Sequence, residues 1–258
     1  MIEYDKRYTL GVSMEKITEK FGLFDLMVTT FPGAYFLLLF KNLTHYFIFT
    51  LSTFQTQNSY ILDSLYIINY ELRIPRTVFE LVAFSFLSYF VGFVLQGLTS
   101  WVKHHLVFSH GKPHHLLFDS KKGPLDKFQI EHFTPTFKRL YSFNKVSSLS
   151  VQEQQSISKC IFHKINAMCQ KSNIANKYVK LIVLANRSYN LFVANSALLV
   201  LVIAFYFVLF SLKLFHLRIA IHIIALTLSI STIVFFKQAV HFNKRWIVNL
   251  LYAYEAET

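Results

Sequence analysis

The sequence predicts an all-α integral membrane protein, with four transmembrane helices and a helical and irregular cytosolic module between the second and third. Three observations predict it. Four long stretches are uncharged and rich in Phe, of which the chain has 28, within a composition that is 53% hydrophobic. Three of those stretches reach or approach the ~20 residues that a helix needs to cross a hydrocarbon core of roughly 30 Å. The basic residues are also unevenly placed, since only one of the connecting segments is strongly basic.

The first stretch, 26–40, is the weakest: 15 uncharged residues with Pro32-Gly33 near its centre. Extending it back to Phe21 gives 20 residues and places Asp25 inside. It reads as a kinked or tilted span, with a re-entrant segment as the alternative. About 20 polar residues precede it and no small-residue cleavage site follows, which is unlike a cleaved signal peptide. The stretch 81–102 has 22 residues without Asp, Glu, Lys or Arg, 188–212 has 25 and 219–236 has 18.

Orientation follows from Lys and Arg. The head carries four (Lys6, Arg7, Lys16, Lys20), the 41–76 connection three, the 103–187 segment fourteen, and the tail Lys237, Lys244 and Arg245. Counting in the middle segment only positions close to the membrane leaves Lys103, Lys112, Lys171, Lys177, Lys180 and Arg187. Both termini and the middle segment are therefore expected in the cytoplasm. The organisation is 1–102, a cytosolic head with the first transmembrane pair; 103–187, the basic module; 188–240, the second pair; and 241–258, an amphipathic tail.

Within the module, fourteen basic residues face only Asp119, Asp126, Glu131 and Glu153, a net charge of +10. Each Lys or Arg near an anionic membrane surface contributes roughly 1 kcal/mol, so anionic lipid is the first expected partner. Lys171, Lys177, Lys180 and Arg187 are the residues expected to meet an anionic partner. No Gly-rich phosphate loop or Arg cluster supports nucleic acid or a nucleotide by motif. From His104 to Asn144 the chain is rich in His, Phe and Pro, and Gly111, Pro113, Gly123, Pro124 and Pro135 predict an ordered loop with short helical pieces. Ser150 and Glu153 have capping-box spacing. Ile157, Ile161, Ile165 and Met168 then form one apolar stripe of a helix, with Lys159, Lys164 and Lys171 off it. Another helix is expected from near Ile174 through Arg187 into the third span.

Cys160 and Cys169 both fall in the cytosolic module, so a structural disulfide is not expected. His104, His105, His110, His114 and His115, with Cys160 and His163 three apart, raise a metal question, but the paired short spacings of structural zinc sites are absent and no metal is assigned. There is no Gly-x-Ser-x-Gly, no His-Glu-x-x-His and no Cys-His pair with an orienting acid, so no enzyme and no cofactor are expected.

Ionisable or amide side chains in lipid are costly and point to partners or wet paths. Asp25, Glu80, Gln96, Asn195, His222 and Lys237 are the candidates, the charged ones and His222 also reading as interface residues whose heads reach water. Ser88 with Gly92, next to Gln96, offers a small-residue face for close helix approach, taken as the contact of a homo-oligomer; Ala225 with Ser229 repeats the spacing.

Phe24-Asp25-Leu26, Phe31-Pro32-Gly33, Tyr89 through Gly92 to Leu95-Gln96, and Arg187-Ser188-Tyr189-Asn190 resemble a broad group of uncharacterised small bacterial inner-membrane proteins. The stretch from His241 to Trp246, continuing to Tyr252 and Tyr254, is similar to that group's amphipathic tails. The likeness covers the spans and not 104–170. Members often occur near antiphage defence genes, so the resemblance implies a membrane effector or sensor. The expected function is a membrane-embedded defence component that senses a cytosolic protein partner or ligand and alters membrane integrity or recruits that partner. The alternative is a small channel or transporter subunit using Gln96, Asn195 and His222.

Overall fold

The structure, a computed structural model, describes residues 26–53, 63, 66–67, 77–107, 112–141, 150–172, 175–211 and 218–257, with the side chains of 53, 106, 107, 175–177 and 218 left out. Its regular elements are all helical: α1 Phe31–Thr53, α2 Val78–Val102, α3 Lys127–Leu140, α4 Val151–Lys171, α5 Ala175–Ser211 and α6 Arg218–Glu255. Four stretches of helix, Leu26–Ser52, Val78–His105, Tyr178–Ser211 and Ile219–Glu255, are long and apolar enough to cross a membrane. The chain divides into two units: residues 1–99 with 187–236, and residues 100–186 with 237–258.

In the first unit, α1 does not break at Pro32. A π turn over Leu26–Thr30 runs directly into it. Proline has no N–H to give to the carbonyl four residues earlier, and such interruptions are commonly absorbed by a wider turn. The carbonyl concerned is that of Val28, and it accepts a hydrogen bond of 2.6 Å from Asn190 Nδ2 on α5. A helix that would otherwise carry an unanswered carbonyl is thus completed by its neighbour, as spanning helices with proline require. The span is 27 residues long. It continues past Lys41, where the run of uncharged residues ended.

The apolar centre of this unit is made by Leu43, Phe47 and Leu51 of α1, by Leu198, Val202, Phe205 and Leu209 of α5, and by Ile221 and Leu228 of α6. Phe47 and Phe205 stack with centroids 3.6 Å apart. α2 buries a different kind of face, Ser88, Gly92, Leu95 and Thr99, while Phe79, Phe86, Phe90 and Phe93 on its remaining surface stay exposed. Small residues inside and aromatic ones outside suit a helix that packs by close backbone approach within lipid. Glu80 lies in the first turn of this helix: its amide donates to the Thr77 hydroxyl oxygen at 3.2 Å, and its carboxylate accepts from the Thr77 amide at 3.3 Å. That reciprocal pair is a capping box.

The second unit has its own centre of buried side chains, drawn from the 117–125 loop, α3, α4 and the last turns of α6. The tail, read from sequence as a segment by itself, supplies Ile247, Leu250, Leu251 and Tyr254 to that centre, and α6 reaches it without interruption from Arg218. α3 is a correction to the sequence reading, because Pro135 lies inside a helix of 14 residues. Asp126 and Gln129 cap its start reciprocally at 2.8 and 3.0 Å. Pro135 is exposed, as is Glu131, whose carbonyl it leaves undonated, whereas Phe133 and Phe137 on the opposite side are buried. The freed carbonyl therefore belongs to the exposed side of the helix, where solvent can answer it.

α4 starts at the expected capping box, with Ser150 Oγ accepting from the Glu153 amide at 3.3 Å and the Glu153 carboxylate accepting from the Ser150 amide at 2.8 Å. The Ser150 hydroxyl and then its amide hold the Glu153 carboxyl below its ordinary range. Ile157, Ile161 and Ile165 are buried as the stripe predicts, but Met168 is 42% exposed and Cys169, at 1%, takes the fourth position. Burial pushes the Cys169 thiol up, and both cysteines are free thiols.

Candidate functional site

Among the described residues, polar side chains come together in each of the two units. In the first unit the contacts join helices to one another. The Thr29 hydroxyl donates to Gln96 Oε1 at 3.2 Å, and the Tyr35 hydroxyl donates to Asn195 Oδ1 at 2.9 Å. Asn195 is wholly buried. With Asn190 on the Val28 carbonyl, these bonds tie the first helix to α2 and twice to α5. Interhelical hydrogen bonds in membranes are worth about 0.6–2 kcal/mol each.

Gln96 and Asn195, expected either to hydrogen-bond between helices or to line a path, form cross-links within one chain. His222 is exposed and meets Tyr206 edge-on at 5.5 Å, beside a notch of about 270 Å³ whose other lining includes Val202, Ile221 and Ala225. Lys237 is exposed and Asp25 lies outside the described residues. The residues absent from the sequence reading are Thr29 and Tyr35; Gly33 enters it only beside Pro32, as part of a kink in the first span. Asn190 stood in a quoted motif without a role. Its signal was available: a proline in a span calls for a donor from elsewhere.

The small-residue face of α2 is occupied by the same chain. A Cβ on Gly33 would fall on the Ser88 carbonyl oxygen and 2.7 Å from the Gly92 nitrogen, while one on Gly92 would fall on the Thr29 carbonyl. Ser88 is 1% exposed. The close approach expected between copies is therefore made inside one copy, and Ser88, Gly92 and Gln96 form the seam between the first helix and α2.

The proline and its donor make a quantitative expectation. Asn190→Ala should cost about 1–3 kcal/mol, since a buried carbonyl loses its donor. In a Pro32→Ala background, where the backbone N–H is restored, the same change should cost less by about 1 kcal/mol or more. Thermal unfolding of the four variants in detergent measures this coupling, and equal costs in both backgrounds would remove the assigned pairing.

In the second unit His114 stacks on Phe162 at 4.8 Å, and Phe162 meets Trp246 edge-on at 5.5 Å. His163 lies 5.9 Å from His114, centroid to centroid. Burial, followed by the charges of His115, His163, Lys112 and Lys159, holds His114 down at about 4. His115 is lowered for the same first reason and by Lys159, Lys112 and His163. His104 and His105 are exposed, the latter stacked on Trp101 at 5.0 Å, and His110 lies outside the described residues. Among the described residues no group of three His, Cys, Asp or Glu is placed to hold a metal ion.

The residues expected to meet anionic partners separate. Lys171 and Lys180 are exposed, the Lys177 side chain lies outside the description, and the Arg187 guanidinium sits 5.4 Å over the Phe31 ring in the first unit. That cation–π contact gives Arg187 a partner of its own.

Beside the histidines, the 115–121 loop and the first turns of α4 enclose a cavity of about 300 Å³. The loop is a tight one. The Asp119 carboxylate accepts from the Lys121 and Lys122 amides at 2.9 and 3.0 Å, and a Cβ on Gly123 would fall on the Leu116 carbonyl. On the helix side Gln154, Gln155 and Ser158 line the cavity. No protein family, curated protein or solved structure matches this chain.

Proposed function

We propose that this chain is a multi-pass protein of the bacterial inner membrane, with both termini and the second unit in the cytoplasm, that works in defence against infecting phage. The second unit receives a cytosolic protein partner or small ligand. The spans, assembled as a homo-oligomer, then alter membrane integrity or hold that partner at the membrane. The observation that carries the reading is that residues 100–186 and 237–258 form a unit with an apolar centre and a polar cavity of its own, which a mere connector between spans does not need. The net charge of +10 on 103–187 supports the cytoplasmic placement and contact with anionic lipid. The resemblance of the spans to small inner-membrane proteins near defence genes supports the biological setting. A channel or transporter subunit is less well supported, because Gln96 and Asn195 are engaged in bonds between helices. The reading includes no catalytic step.

The topology is checked with reporter fusions after Lys145 and Tyr254, expected inside, and near Gln57, expected outside. An external reporter at Lys145 reverses the assignment. Bacteria expressing the chain are then challenged with a panel of phages under a potentiometric dye. Protection accompanied by depolarisation only after infection is expected. Depolarisation without infection favours the channel, and neither protection nor depolarisation with any phage overturns the proposal.

A further inference from the structure

The cavity beside α4 has a composition that narrows what it can hold. Its volume of about 300 Å³ is at the lower end of small-molecule sites and more than a bare inorganic anion fills. Its walls are of three kinds. Leu116, Phe118 and Val151 present apolar surface suited to a ring face. Gln154 and Gln155 bring carboxamides, each a donor and an acceptor side by side, the pairing that the edge of a nitrogen heterocycle requires. Lys121 brings positive charge.

The charge balance favours an anion. Lys112 and Lys159 lie close enough to act on His115 at the cavity wall, while the one carboxylate, Asp119, already accepts from two amides. The independent mark of a ligand is Ser158. It lines the cavity, its residue is 0% exposed, and its Oγ has no hydrogen-bond partner among the described residues. A buried hydroxyl without a partner costs about 1–3 kcal/mol, a cost that a bound acceptor removes.

We propose that this cavity binds a small phosphate-bearing molecule built on one nitrogen heterocycle, of nucleoside monophosphate size. Lys121 takes the phosphate, Gln154 and Gln155 read the ring edge, Phe118 covers its face, and Ser158 donates its hydroxyl to the ligand. The inference rests on the receiving role given to the second unit and names what is received.

The full chain in neutral detergent is titrated calorimetrically with adenosine monophosphate, uridine monophosphate, adenosine and inorganic phosphate. At least one nucleotide should bind saturably, with adenosine and phosphate each weaker by about tenfold or more, the effect of losing one good contact. Lys121→Gln should weaken the nucleotide about tenfold and leave adenosine unchanged, because the charge it removes meets only the phosphate. Ser158→Ala should weaken binding by about tenfold while leaving or raising the unfolding temperature of the unliganded chain, since it deletes an unpaired group. Lys138→Gln, exposed on α3, should change nothing. No saturable binding up to about 10 mM, equal weakening by Lys138→Gln and Lys121→Gln, or a Ser158→Ala variant that binds like wild type would each overturn the site. The phage challenge separates the two claims: protection without nucleotide binding sinks the site alone, and nucleotide binding without protection sinks the defence role alone.

Discussion

Gly92→Leu is expected to abolish the folded state of the first unit, at a cost above about 3 kcal/mol, whereas Gly97→Leu on the same helix is expected to be nearly silent. The contrast is geometric. A side chain at Gly92 must occupy the position of the Thr29 backbone, while a Cβ at Gly97 meets nothing within 4 Å. Backbone cannot swing aside as the end of a long side chain can, so the first helix and α2 must separate or shift. Their parting also strands Gln96, whose acceptor oxygen is held by Thr29. Gly33→Leu should behave like Gly92→Leu, because its Cβ would meet Ser88 from the other side of the seam. Detergent-solubilised yield and unfolding temperature measure the effect. If Gly92→Leu melts like wild type and changes only the mass of an assembly, the seam lies between copies and the close approach described within one chain is not the one that matters.

Acidification is expected to loosen the second unit between about pH 6.5 and about pH 4. In an unfolded chain a histidine takes up its proton near 6.5, but folded His114 resists until about 4, chiefly because burial penalises the charged ring and then because His115, His163, Lys112 and Lys159 surround it. Between those values the unfolded chain binds more protons, so stability falls as pH falls. A gap of that size corresponds to about 3 kcal/mol before solvent screening, which reduces it to roughly 1–2 kcal/mol for a partly exposed ring, and the lowered His115 adds to it in the same direction. Trp246 reports the change, since it packs on Phe162, which carries His114. With Trp101 replaced by Phe, emission and melting temperature should drop together below pH 6 in the parent. His114→Phe, which keeps the stack and removes the titrating group, should flatten most of that slope. An unchanged slope would place the acid sensitivity elsewhere.

Much of the fold was legible in the sequence, for reasons that differ by element. The spans announce themselves because lipid excludes charge over a whole helix length. The start of α4 was readable because Ser150 and Glu153 act locally, within three residues. Its far end was not: choosing Cys169 over Met168 depends on which turn meets α6, where the Cys169 thiol approaches the Leu250 carbonyl at 3.9 Å. Pro135 misled because its cost is local and can be outweighed: Phe133 and Phe137 are packed in the unit's centre, while Pro135 and Glu131 lie on the exposed side of the helix. For the candidate sites the divide is similar. Gln96 and Asn195 were visible as polar groups in apolar runs, but their partners Thr29 and Tyr35 lie 67 and 160 residues away. The 300 Å³ cavity left no linear trace, being assembled from a loop held by Asp119 and from helix positions whose residues are ordinary surface types.

The bond from Asn190 to the Val28 carbonyl spans 162 residues of sequence, and this imposes an order on biogenesis. Synthesis at about 5–20 residues per second means that the first helix leaves the ribosome roughly 10–30 s before its donor exists. Throughout that interval a proline-interrupted segment has to wait beside the insertion machinery with its carbonyl answered by water or lipid headgroup. The first span can therefore complete its hydrogen bonds only once the third has arrived.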